Sequence, residues 1–314
     1  MIPRVIVVGG GIAGLAAAHR LTELKKQKSL DLEVLLLEAS PRLGGVIASE
    51  GVGEFLVEAG PDSFITEKPW ALKLCERLEL DSRLVSTQPA YQKIYVVQQG
   101  KLVPLPEGFF LLAPTRLWPF IKTPLFSWLG KMRIAGELLL PRRSSTSDES
   151  LGSFVRRRFG TEALERVAQP LVAGIYASDP DALSLGATMP RFLKMERKQR
   201  SVIYAMWSAQ RRRRRETGSG ARWSLFVAIA GGMGELVAAI AQRLPEGCVR
   251  LNSRADVLQF EGQRKCWKIT MDGHETIEAS AVVLAIPAFR TAQLLASVAP
   301  NAAAPLRQIP YAST

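Results

Sequence analysis

Residues 5–38 read VIVVGGGIAGLAAAHRLTELKKQKSLDLEVLLLE. Val5 to Val8 is a continuous β-branched run, the pattern of a strand buried on both faces, and three glycines end it. Ile12, Leu15, Ala16, Leu21 and Leu24 then recur at helical spacing, and Glu33 to Glu38 supplies a second strand. Two strands joined through a helix run parallel, so the stretch predicts a β-α-β unit and an α/β domain.

Gly9, Gly11 and Gly14 spell GxGxxG between that strand and that helix, with Gly10, Ile12 and Ala13 completing the turn. Each glycine has a separate reason. Gly9 permits the tight turn, Gly11 lets backbone approach a pyrophosphate, and Gly14 lets the helix pack close to the sheet. The helix end offers unpaired N–H groups to the anion. Glu38 closes the second strand, where a carboxylate accepts hydrogen bonds from both adenosine ribose hydroxyls and repels a 2′-phosphate. Dinucleotide binding is expected, with NADP disfavoured.

The rest of the composition narrows the chemistry. With 314 residues and 47% hydrophobic content the chain can bury two cores. Cys75, Cys248 and Cys266 share no close spacing, which argues against a disulfide framework or a CxxC metal site and for a reducing, cytoplasmic setting. His19 falls inside the first helix and His274 in a hairpin turn, neither with an acidic or cysteine partner at metal-ligand spacing. No metal and no Ser-His-Asp triad is expected; no catalytic side chain is singled out, and the chemistry is assigned to a cofactor. Met1 to Val8 is too short for a secretion signal, and Trp223 to Ala241 carries too many glycines for a membrane helix. The net charge of +12 is concentrated in Arg191 to Trp223. There Arg211 to Arg215 reads as a solvated loop rather than a nucleic-acid site, because no recognition fold accompanies it.

Further along, Val46 to Val57 reads as an extended pair, Pro69 to Leu80 as a helix, and Ile94 to Val103 as a hairpin turning at Gln99 and Gly100. Trp118 to Leu140 and Ser150 to Gln169 have helical character. Ser144 to Glu149 reads as a polar linker and Arg211 to Gly220 as a mobile loop, each too poor in apolar residues to bury. From Leu225 the pattern returns to α/β, with strands at 225–229, 249–251, 255–260, 266–271 and 281–285 and a helix at 234–244. The expected fold is a Rossmann-like nucleotide-binding domain over 1–90 and 225–314, interrupted by a mainly helical domain over 91–224.

Glu38, Ala39, Ser40, Pro41, Arg42, Leu43, Gly44 and Gly45 resemble the E-x-x-x-R-x-G-G signature of amine-oxidase-type flavoproteins, which selects FAD over NAD. Glu58–Phe64 (EAGPDSF), Pro114–Lys131, Pro170–Ser184 (PLVAGIYASDPDALS) and Phe226–Leu236 (FVAIAGGMGEL) are similar to segments of the oxygen-dependent protoporphyrinogen and coproporphyrinogen oxidases. The resemblance implies FAD-dependent oxidation of a porphyrinogen to the porphyrin with O2 as acceptor, in haem biosynthesis. It implies that Val46, Gly60, Pro61, Asp62 and Ser63 line the flavin, that Ala255 touches the adenine through its backbone, and that Ala173 and Gly174 face the substrate. The corner Ala285, Ile286, Pro287 resembles the family's flavin-side strand end. For Gly174, close helix packing is an equal alternative.

Other readings stay open. One is a desaturase or polyamine oxidase of the same superfamily, and another is a non-catalytic basic fragment. The stretch Phe109 to Leu140 leaves peripheral membrane contact by a substrate- and membrane-facing domain as an alternative to ordinary core, and a homodimer is compatible with all of these. Protoporphyrinogen and coproporphyrinogen are not distinguished. The family also continues beyond the position of Thr314 through a segment that returns to clamp FAD, so weak FAD retention is expected of this chain.

Overall fold

The computed structural model describes residues 2–91, 93–110, 113–145, 147–216 and 225–311. It divides into two units, Met1–Thr87 with Arg222–Tyr311, and Gln88–Ala221.

The first unit begins as its sequence predicts. Strand β1 (Arg4–Val8) passes through the glycine turn into helix α1 (Ile12–Gln27) and strand β2 (Glu33–Leu37). The strands are parallel, Val5 opposite Val34 and Val8 opposite Leu37. Ile6, Val7 and Leu36 are wholly buried, as residues on both faces of a covered parallel sheet must be. An antiparallel hairpin follows, β3 (Ser49–Val52) with β4 (Phe55–Glu58). After it come β5 (Phe64–Ile65), α2 (Trp70–Arg77) and β6 (Leu84–Ser86).

The second unit opens with β7 (Tyr95–Gln98) and β8 (Lys101–Pro104), which pair across Gln99 and Gly100. Both turn residues have positive φ, 51° and 74°, as a two-residue hairpin turn of right-handed strands requires. A short pair, β9 (Phe109–Phe110) and β10 (Ala113–Pro114), precedes the helices α3 (Leu117–Lys122), α4 (Trp128–Ala135) and α5 (Leu151–Phe159). Then follow α6 (Thr161–Ala163), a π-helical turn at Leu164–Ala168, α7 (Gln169–Tyr176), α8 (Leu185–Thr188), α9 (Pro190–Gln199) and α10 (Val202–Glu216). Phe120, Phe126, Phe154, Phe159 and Phe192 build the core of this unit.

Two expectations for this unit are corrected. Arg211 to Glu216 continue α10 instead of forming a loop, because buried Val202, Ile203, Ala205 and Met206 drive the helix from its start; Thr217 to Gly220 lie outside the described residues. The polar run ending at Glu149 is not free of burial either. Glu149 is buried and ion-paired with Arg143 and Arg157, so charge pairing replaces apolar contact there.

Back in the first unit, β11 (Phe226–Ile229) lies antiparallel between β5 and β6, and α11 (Gly234–Gln242) follows. Strand β12 (Val249–Arg250) joins β2 in parallel. Strands β13 (Ala255–Glu261), β14 (Cys266–Met271) and β15 (Glu275–Ala279) form an antiparallel meander. Strand β16 (Ala281–Leu284) then pairs in parallel with β1, completing the order β12-β2-β1-β16, and α12 (Ala288–Leu295) and α13 (Pro300–Arg307) follow. The parallel sheet brings the carboxyl ends of β1, β2 and β16 to one edge, where α/β sheets bind ligands.

Candidate functional site

At that edge the chain leaves β1 at Gly9, β2 at Glu38 and β16 at Ala285. Gly9 has φ +108°, and a Cβ placed on it would stand 2.5 Å from the Ala285 carbonyl oxygen and 2.8 Å from Ile286 Cγ2. Both the turn and the close strand end demand glycine there. A Cβ on Gly14 would lie 1.8 Å from the Gly9 carbonyl oxygen, so α1 packs against the turn at a distance no side chain permits. Gly11 is the opposite case. A Cβ there would meet nothing within 4 Å, so its outer side is open. No side chain caps α1 and no acid occupies its first turn. The helix end made by Gly11, Ile12, Ala13 and Gly14 therefore carries no carboxylate of its own, which suits a diphosphate.

A second loop lies across the first. Gly44 donates its N–H to the Gly10 carbonyl at 2.9 Å and bridges Gly11, and a Cβ on Gly45 would stand 3.3 Å from Gly11 Cα. Arg42 braces this loop, its guanidinium donating to the carbonyls of Gly45 at 2.7 Å, Ile47 at 3.1 Å and Leu43 at 3.3 Å. In this arrangement Arg42 shapes the backbone. Half-buried Glu38 accepts from Gly10 N–H at 2.5 Å and Ser40 N–H at 2.8 Å, which aligns its carboxylate beside the open end of α1. Ala39 is exposed next to it. Glu38 also donates its N–H to Arg250 O and accepts from Ser253 N–H, so the segment leading into Ala255 runs beside the acid. Ala255 opens β13 where a bulge interrupts the pairing with β14.

The remaining expected residues flank the hairpin β3–β4. Val46 is 76% exposed while its neighbour Ile47 is buried. A Cβ on Gly60 would lie 1.9 Å from the Val46 carbonyl oxygen, so the segments before and after the hairpin are in backbone contact. Pro61 and Asp62 are exposed, and Ser63 Oγ donates to Asp62 Oδ1 at 2.7 Å. Ala173 and Gly174 lie on α7 in the helical unit, both exposed. A Cβ on Gly174 would meet nothing within 4 Å, so packing does not require glycine there.

Sequence reasoning missed three features. Ser49 and Glu58 accept hydrogen bonds from the first N–H groups of α11. His19 does have an acid at helical spacing: Glu23 Oε2 stands 3.9 Å from its Nδ1, a one-turn separation that the expectation of no nearby partner overlooked. Burial nevertheless dominates and lowers the His19 pKa from its ordinary 6.5, against the pull of Glu23. Glu261, Cys266 and Glu278 bring ligand-type atoms within 4.8 Å of one another, but the carboxylates are already paired with Lys268 and Arg264.

The sequence matches the model of the family described as flavin containing amine oxidoreductase over residues 12–314. It is 37% identical to the coproporphyrinogen III oxidase of Bacillus subtilis (strain 168) over 299 residues, covering 94% of this chain and 62% of that protein. It is 29% identical to protoporphyrinogen oxidase 1, chloroplastic, of Spinacia oleracea, covering 98% of this chain and 54% of that one. A crystal structure of an Exiguobacterium sp. 255-15 protein assigned as a protoporphyrinogen oxidase superposes with a TM-score of 0.80 at 31% identity, over 96% of this chain and 63% of that one. The chain thus spans less than two thirds of the length of these relatives.

Proposed function

The chain belongs to the flavin containing amine oxidoreductase family, and on that premise we propose that it binds FAD and serves the oxidation of a porphyrinogen to the porphyrin with O2 as acceptor. The observation that carries the reading is the open, side-chain-free space over Gly11 between two glycine loops, with the Glu38 carboxylate beside it. Those residues fit a dinucleotide. The end of α1 would hold the diphosphate, Glu38 the adenosine ribose, and the backbone near Ala255 the adenine. Val46 and Gly60–Ser63 would line the isoalloxazine.

When bound, FAD supplies removal of hydride equivalents and their transfer to O2. The chain's part is to bind, orient and exclude water. The unit built on the β12-β2-β1-β16 sheet is the FAD domain, and the helical unit is the substrate domain, with exposed Ala173 and Gly174 on α7 facing the macrocycle. Coproporphyrinogen III is the substrate favoured by similarity, since the Bacillus relative named for it is 37% identical and the Spinacia relative named for protoporphyrinogen 29%.

We further infer a cytoplasmic protein in peripheral contact with a membrane through the helical unit. Among the described residues no helix is long and apolar enough to cross a membrane. Support for the contact is the exposure of Trp118, Trp128, Leu129 and Met132 on α3 and α4.

The test is titration of the chain with FAD, followed by addition of coproporphyrinogen III or protoporphyrinogen IX in air. Bound flavin and rising porphyrin fluorescence are expected, faster with coproporphyrinogen. No flavin binding rejects the cofactor reading, and bound flavin without fluorescence from either compound rejects the substrate reading.

A further inference from the structure

Strand β4 ends in Glu58, and β3 starts at Ser49 directly opposite it. The two side chains meet: Ser49 Oγ donates to Glu58 Oε2 at 2.6 Å. Together they take up the first N–H groups of a helix far away in sequence. Glu58 Oε1 accepts from Met233 N–H at 2.7 Å, and Ser49 Oγ accepts from Gly234 N–H at 2.8 Å. Helix α11 has no capping hydrogen bond from its own N-cap side chain, so the hairpin provides the cap. The fit leaves no room for substitution at Gly232, which has φ +89° and whose Cβ would lie 2.7 Å from Ser49 Oγ and 2.9 Å from Glu58 Oε1. A carboxylate at a helix N-terminus also faces the positive end of the helix dipole.

The location makes this more than a cap. Val46 lies three residues before Ser49 and Gly60 two residues after Glu58, and the hairpin ladder continues between them through Ala59 N–H to Ala48 O at 2.8 Å. Helix α11 also supports the second glycine loop, since a Cβ on Gly44 would stand 3.2 Å from Val237 Cγ2. One end of α11 is thus tied to both strands of the hairpin, and its body lies under Gly44.

We propose that Ser49 and Glu58 are a positioning pair for the flavin site: by capping α11 they fix the segments Gly44–Val46 and Gly60–Ser63 against which the isoalloxazine lies. This rests on the flavin reading above. Neither residue need touch the cofactor. Loss of the cap frees the base of the hairpin, and the backbone lining the flavin shifts while both cores stay intact.

The experiment compares the wild-type chain with Glu58→Gln, which is isosteric and keeps one acceptor, and with Ser49→Ala. A control, Leu258→Ala, removes a buried side chain of the β13–β15 meander. Far-ultraviolet circular dichroism and melting temperature report the fold; FAD titration and the visible circular dichroism of bound flavin report the site. Both pair variants are expected to keep the fold, to bind FAD about five- to tenfold more weakly, and to alter the visible dichroism at saturating FAD. The control is expected to melt earlier with an unaltered visible band. Wild-type affinity and dichroism in Glu58→Gln and Ser49→Ala would overturn the proposal, as would an equal spectral change in the control. Failure of the wild-type chain to bind FAD rejects the flavin reading itself, before any variant is compared.

Discussion

Gly11 and Gly14 lie one turn apart, yet a methyl group added to each meets opposite surroundings. At Gly14 it would overlap the Gly9 carbonyl at 1.8 Å, so Gly14→Ala must push α1 off the turn, costing roughly 1–3 kcal/mol and weakening FAD binding as well. At Gly11 nothing lies within 4 Å, so Gly11→Ala should leave the ligand-free chain within about 0.5 kcal/mol of wild type while weakening FAD binding tenfold or more. Thermal melts with and without FAD check the pair; equal destabilisation by both substitutions would remove the distinction between a packing glycine and a ligand glycine. His19 gives a prediction in pH. Burial holds its pKa in the folded chain below the ordinary 6.5, with Arg20, Arg77 and Arg243 pushing the same way and Glu23 opposing. The unfolded chain therefore takes up the proton first on acidification. The contribution of neutral His19 is fully present above about pH 6.5 and is lost as pH falls from there toward its lowered folded value. Denaturant titrations from pH 7 to pH 5 should show stability falling more steeply for wild type than for His19→Gln, and parallel slopes would refute the assignment.

Helix α10 shows how an element can be fixed by a residue that local sequence does not reveal. Glu137, fully buried, accepts from Val202 N–H at 2.8 Å, Ile203 N–H at 3.3 Å and Ser201 Oγ at 2.5 Å, and pairs with the equally buried guanidinium of Arg158. Arg158 in turn donates to the Pro141 carbonyl at 2.9 Å and the Arg200 carbonyl at 2.6 Å, so one ion pair joins α5, the segment after α4 and the start of α10. Glu137→Ala would leave a buried guanidinium without its carboxylate, and a loss of about 3–5 kcal/mol in urea unfolding is expected. Adding Arg158→Met should recover part of that loss; a double variant as unstable as the sum of the singles would show that the two residues act separately. The same long reach explains what the sequence could disclose. The β1-α1-β2 unit and its glycines were legible because strand period, helix period and turn chemistry are all local to 34 residues. The helical course of Arg211 to Glu216 was not, since its nucleus lies at Val202–Met206 and its cap at Glu137. Gly9, Gly11, Gly14, Gly44 and Gly45 stand out by local spacing, whereas Gly232 and the Ser49 and Glu58 cap do not, the cap joining partners 185 and 175 residues apart with no local signature.

Charge is divided between the two units in a way no single segment shows. Residues 88–221 hold 22 Lys and Arg against 10 Asp and Glu, so the whole formal charge of +12 belongs to the helical unit and the nucleotide-type unit is neutral. The same unit exposes Trp118 and Trp128 on neighbouring helices, whereas the exposed Phe55 and Trp70 of the first unit lie where the net charge is zero. On α3, Phe120 points into the core while Trp118 is 67% exposed; on α4, Ile134 is buried while Trp128, Leu129 and Met132 are 70–80% exposed. The two outer faces adjoin, because Lys131 of α4 donates to the Ile121 carbonyl of α3 at 2.7 Å. Lys122 stands 4.9 Å over the Trp118 ring and Lys131 4.7 Å over that of Trp128. Indole rings topped by ammonium groups on an apolar face are the composition of a bilayer interface, where the ring lies at headgroup depth and the cation meets phosphate. An apolar face of this kind in a soluble partner's groove would need no such cations, and a unit of +12 charge is drawn to acidic lipid over a distance set by salt. The chain should therefore sediment with vesicles containing phosphatidylglycerol and not with vesicles of phosphatidylcholine alone. Binding should fall as salt rises, and Trp118→Ala with Trp128→Ala should weaken it about tenfold or more while leaving FAD affinity unchanged. Equal binding by the double variant would move the contact away from α3 and α4, and no sedimentation with acidic vesicles at low salt would end the membrane reading.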